Sequence, residues 1–76
     1  MARGWIHTVY RSATADWANE VEGNDRASSV HDTKVEAVKR GRELARNAQT
    51  EHVIHNVDGT ISERNSYGND PFPPKG

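Results

Sequence analysis

The chain has 76 residues, 33% of them hydrophobic, no cysteine and a formal net charge of −1. That length holds one small domain, and with 17 apolar residues larger than alanine its core must be thin. Disulfides and thiolate metal sites are excluded, the charge argues against a protein that works chiefly by neutralising phosphates, and with no apolar run to serve as leader or membrane span a cytoplasmic location is expected.

In chain order, "GWIHTVYR" and "DWANEVEG" read as two strands joined by the small-residue loop Ser12 to Ala15. Gly23, Asn24 and Asp25 form a turn, and Arg26 to His31 a short third strand. A helix opens at Thr33, where Thr33 and Glu36 have capping-box spacing and Asp32 adds negative charge favoured by the helix dipole. Ala37, Val38, Gly41, Leu44, Ala45 and Ala48 then repeat at three and four residues, so one stripe of small residues is expected to face a sheet. Gly41 costs about 1 kcal/mol in a helix interior relative to alanine, and its expected use is close approach of the helix axis to that sheet. "EHVIHNVDGTISER" reads as two β-branched strands joined by Asp58 and Gly59, the pair favoured in a type I′ hairpin turn. The order strand, strand, strand, helix, strand, strand predicts an α+β two-layer sandwich: a four- to five-stranded, mostly antiparallel sheet with one helix on one face.

The five aromatics, Trp5, Tyr10, Trp17, Tyr67 and Phe72, all lie outside the helix stripe. One helix covers one face, so these rings are expected to dress the other, with the domain spanning 1–67 and a proline-rich tail, 68–76, packed back on it. Proline suits such a segment because its fixed φ reduces the entropy lost on docking, and Asn69, Asp70 and Pro71 read as a tight turn at its start.

The Trp-led second strand (Trp17 to Val21), "ASSVHDTKVEA", "GRELAR", the "DGTI" hairpin and the terminal "SYGNDPFPPKG" together resemble the short bacterial proteins of the DUF family 2188, from about His7 to Gly76. The chain departs from that pattern at Asn19, where an apolar strand residue is expected, and in its first hairpin loop, which is longer and lacks a glycine directly before Trp17. The resemblance implies a compact α+β fold and transfers no catalytic residue.

Four histidines, His7, His31, His52 and His55, raise the question of a metal. His52 and His55 are three apart on a strand of period two and so point to opposite faces, while His7 and His55 meet only if their strands are neighbours in the correct register. Half-buried rings bonded to backbone are the expectation, with no metal and no cofactor. His31, Asp32 and Thr33 are adjacent in the chain, where residues rarely converge on one reaction, capping already explains Asp32 and Thr33, and no phosphate-cradling loop or paired-carboxylate signature is present, so no enzyme activity is expected. From Thr33 to Gln49 the charge is +3, leaving −4 for the remainder. The expected function is a non-enzymatic protein-interaction or self-association module, contacting a protein partner or a second copy through Trp5, Trp17, Tyr67 and Phe72. The alternative is nucleic-acid binding through Lys34, Lys39, Arg40, Arg42 and Arg46 on the basic helix face.

Overall fold

The computed structural model of the chain describes residues 4–24 and 26–68. Its elements are β1 (Ile6–Arg11), β2 (Asp16–Val21), β3 (Ala27–His31), α1 (Lys34–Ala48), β4 (Glu51–His55) and β5 (Ile61–Ser66). They build an α+β fold, one five-stranded sheet of order β3-β2-β1-β4-β5 with α1 packed on one face. Three neighbouring pairs are antiparallel and the β1–β4 pair is parallel. The parallel pair follows from the connectivity. An antiparallel meander leaves β3 running with β1, and one helix crossing back over the sheet returns the chain in that same direction, beside the free side of β1.

Both helix ends are built from local chemistry. At the start, Thr33 is in extended backbone and its hydroxyl accepts from the Glu36 N–H at 3.3 Å. At the end, Gln49 adopts the left-handed conformation (φ 54°), its N–H bonding Arg46 O, while the Thr50 N–H reaches Ala45 O at 3.0 Å. This is a Schellman closure with glutamine where glycine is usual. The buried stripe is Ala37, Gly41 and Ala45, with Val38, Leu44 and Ala48 half-buried beside it.

The β4–β5 connection differs from the expected type I′ turn. The Gly59 N–H bonds Asn56 O at 2.9 Å and the Asn56 N–H bonds Thr60 O at 2.7 Å. Gly59 alone in this loop has positive φ, at 92°. The loop is therefore a three-residue connection, a type I turn with glycine following it in the left-handed position. Asp58 instead accepts from the Thr60 N–H at 3.0 Å and the Thr60 hydroxyl at 2.7 Å. Asp-Gly serves both turn types, and pairing of Asn56 with Thr60 decides between them.

Because a left-handed residue other than glycine is strained by about 1 kcal/mol, Gln49→Gly is expected to stabilise the fold by roughly 0.5–1 kcal/mol in urea denaturation, with unchanged slope.

Candidate functional site

Beneath α1 the sheet is polar. The register pairs Thr8 with Asn19 and Asn19 with Ser29, while His52 lies on β4 across from β1, so each of four adjacent strands contributes polar side chains to the helix-covered face. Thr8 Oγ1 lies 2.5 Å from Asn19 Oδ1 and 2.7 Å from His52 Nε2. Asn19 Oδ1 can only accept, so the single Thr8 hydroxyl proton goes to it, and His52 Nε2–H donates to Thr8. Asn19 Nδ2 then donates to Ala37 O at 2.8 Å on the helix and to Ser29 Oγ at 3.1 Å, and Ser29 Oγ lies 3.0 Å from His31 Nε2. Thr8, Asn19 and His52 are fully buried.

Gly41 sits directly over this chain. A Cβ there would stand 2.5 Å from both Asn19 Oδ1 and His52 Nε2 and 2.8 Å from Thr8 Oγ1. The expected use of Gly41 is thus observed, and the surface it approaches is a hydrogen-bonded seam. Asn19, which looked out of place in a strand, is the residue joining sheet to helix.

His52 Nδ1 is buried with no partner among the described residues. Burial pushes the His52 imidazole below its ordinary value of 6.5, and the positive charge of Arg42 adds to that. The folded chain therefore holds His52 neutral where the unfolded chain protonates it.

The helix-free face is dressed differently from the expectation. Val53 and Ala18 are buried there, 2% and 0% exposed, beneath paired polar side chains of the same face. Arg64 reaches Glu51 at 3.5 Å and lies 5.5 Å from the Trp5 ring centre. Arg11 grips Asp16 through two bonds of 2.7 and 3.0 Å, holding the Asp16 carboxyl below its ordinary value. His7 bonds Glu22 at 2.8 Å and His55 at 3.0 Å. Trp17 is not on this face. It is buried under the helix side, 5.2 Å from the Tyr10 ring, with the Lys34 ammonium 5.4 Å from its centre. Trp17 and Asn19 alternate onto the same face, and the helix covers that one. Trp5 is 37% exposed, Tyr67 is half-buried with its N–H on Thr50 O at 3.1 Å, and the next residue, Gly68, lies against the Gln49 carbonyl. Phe72, the prolines and the expected turn at Asn69 lie outside the described residues, as does the docking expected of tail 68–76.

The basic residues are where the helix periodicity put them. Lys39, Arg40, Arg42 and Arg46 are exposed on α1 and Lys34 is half-buried. Arg40 is engaged by Glu43 at 3.1 Å. Lys39, Arg42 and Arg46 face no carboxylate within ion-pair distance among the described residues. Val35, 78% exposed, and half-buried Val38 form the floor of a shallow groove of about 400 Å³ rimmed by Lys34, Lys39 and Arg42. Sequence reasoning found the cations and missed the exposed valine between them.

Residues 6–67 match the family model described as "Uncharacterized protein conserved in bacteria (DUF2188)". The chain belongs to this family. It is also 40% identical over 48 residues to an uncharacterised protein, YdaT, of Bacillus subtilis (strain 168), an alignment covering 63% of this chain and 32% of that relative. The chain thus spans about a third of the relative's length. No solved structure matches it. The match to the DUF2188 family takes in all five strands and the helix, and so the whole polar seam. No helix among the described residues is long and apolar enough to cross a membrane.

Two measurements probe the seam of this DUF2188 chain. Gly41→Ala gains about 1 kcal/mol of helix propensity but forces a methyl among three hydrogen-bonded atoms, so a net loss of about 2–4 kcal/mol is expected in urea denaturation. For His52, the folded value is depressed, so the unfolded state binds the extra proton and stability falls as pH drops below about 6.5, by at most about 1.4 kcal/mol per unit. The carboxyls of Glu22, Asp16 and Asp58 are also held low, but their loss begins lower, near their ordinary values of 4.5 and 3.8. Denaturation midpoints between pH 7.5 and 5 should decline for the parent and flatten for His52→Gln.

Proposed function

We propose that the chain is a non-enzymatic protein-interaction module whose contact surface is the outer face of α1, taking an acidic segment of a protein partner that carries an apolar side chain. The observation that carries this reading is the groove whose apolar floor, Val35 and Val38, lies between the cations Lys34, Lys39 and Arg42. A solvated helix face needs no exposed valine. An acidic segment with one buried apolar anchor matches both features, the anchor supplying affinity and the charges orientation and on-rate. The sheet's other face is less suited, because most of its charged side chains, Glu20 apart, are already paired with one another. Trp17, buried beneath the helix, takes no part in the contact surface.

Nucleic-acid binding is the second reading, favoured by Lys39, Arg42 and Arg46, which meet no carboxylate among the described residues, on a helix of local charge +3. Phosphates would use the cations and leave Val35 idle. Fluorescence anisotropy separates the two, with a labelled peptide alternating glutamate and leucine as one probe and a labelled duplex DNA as the other. The expected result is peptide binding that persists at 150 mM salt, weakens about fivefold in Val35→Ser, and vanishes in Lys39→Glu/Arg42→Glu. At 78% exposure, Val35→Ser should leave stability within about 0.5 kcal/mol. DNA binding that falls steeply with salt and ignores Val35→Ser replaces the first reading by the second.

A further inference from the structure

On the helix-free face, far from the α1 groove, His7 and His55 form a pair whose outer nitrogens are both held. His7 Nε2 lies 2.8 Å from Glu22 Oε2, and Glu22 is itself fixed by the Trp5 N–H on its other oxygen at 3.4 Å. His55 Nδ1 lies 3.3 Å from Gly59 O, a carbonyl presented by the β4–β5 turn. Carboxylate and carbonyl only accept, so each fixes an N–H on the nitrogen facing it. The remaining nitrogens, His7 Nδ1 and His55 Nε2, face each other at 3.0 Å, with ring centres 5.2 Å apart. Two neutral rings in these tautomers would set two lone pairs nearly head-on against each other, and that repulsion calls for a cation.

We propose that His7 Nδ1 and His55 Nε2 are a two-point binding site for one borderline divalent transition-metal ion of the Ni²⁺, Cu²⁺ and Zn²⁺ class. Metal-ligating histidines typically donate their second N–H to a carboxylate or a backbone carbonyl, and Glu22 and Gly59 O supply one of each. Two nitrogens bound at about 2.0–2.1 Å in cis positions lie about 3 Å apart, the spacing already present, and a turn of each ring out of its head-on contact aims both nitrogens at one ion. No cluster of three or more ligating side chains occurs among the described residues, so the remaining positions fall to water or to a partner's ligand. The strand register makes the site: β1 and β4 are parallel neighbours pairing His7 with Val53, which brings His55 alongside.

The test is titration of the full chain with Zn²⁺ at pH 7.5, following the four histidine side chains by NMR and the stoichiometry by calorimetry. The expected result is one ion per chain, with the His7 and His55 rings perturbed and those of His31 and His52 unmoved. His7→Gln and His55→Gln should each weaken binding at least tenfold, Glu22→Ala about tenfold through the lost orienting bond, and His31→Gln not at all. The ion should also raise Tm in the parent and in His31→Gln but not in His55→Gln. If the His7 and His55 resonances stay fixed at millimolar Zn²⁺, or the two glutamine variants bind like the parent, the rings share a proton only and the metal site is refuted. The parent titration decides this even if a variant fails to fold.

Discussion

The fold depends on how closely α1 lies to the sheet at Gly41. A stripe of Ala37, Gly41 and Ala45 removes side-chain bulk from the interface, and Gly41 leaves no room even for a methyl over Thr8, Asn19 and His52. So close a helix cannot rest on large apolar residues. It rests on short polar ones whose groups satisfy each other and reach Ala37 O on the helix. A buried polar group left alone costs about 1–3 kcal/mol, whereas a satisfied chain costs little and admits few geometries. The seam therefore acts on register as well as stability. A one-residue slip of β1 against β2 or β4 would turn Thr8 away and strand Asn19 and His52 in the core.

The outer faces inherit the consequences. With so thin an interface, the larger apolar residues gather at its margins: Ile6 and Ile54 near the seam, Trp17 beside Tyr10 under the Lys34 ammonium. The opposite sheet face holds small or β-branched residues at its centre, Ala18 beside Val9 and Val53 beside His7 and Arg64, and surrounds them with the pairs Arg64–Glu51, His7–Glu22 and Arg11–Asp16. Exposed ion pairs of this kind contribute roughly 0–1 kcal/mol each, so their main effect is to exclude water from two small buried residues.

What could be read from the sequence was local. The Thr33 cap, the three- and four-residue recurrence along α1, the succession of elements along the chain and the glycine at the close approach all depend on neighbours within a turn or two, whereas the order of strands in the sheet does not. What could not be read depends on pairing across the chain. Thr8 and His52 are 44 residues apart, and Asn19 reads as a misplaced strand residue until β1, β2 and α1 are brought together. Alternation shows that Trp17 and Asn19 share a face, but only the position of the helix shows which face is covered, and the expectation that rings outside the helix stripe dress the uncovered face puts Trp17 on the wrong one. The cations were legible because helix periodicity sorts them outward. The groove among them depends on one apolar residue breaking that pattern, and Val35, although the periodicity leaves it off the stripe, escapes notice because an apolar residue is not expected outward.

Charge partnership, more than hydrophobicity, separates the two candidate surfaces from the rest of the molecule. On the sheet face most ionisable groups, Glu20 apart, already have an internal partner, and the pair of imidazole nitrogens facing each other at 3.0 Å makes a further demand. On the helix the cations have few carboxylates to meet, because most acidic residues among the described ones lie in strands and turns and make no ion pair with α1. Since α1 is held rigidly by the seam at Gly41, its outer face presents Lys39, Arg42 and Val35 in a fixed arrangement, and ordering them for a partner costs less than ordering the same residues on a loop. The buried polar chain that looks like a flaw in the core is therefore what pre-organises the exposed face.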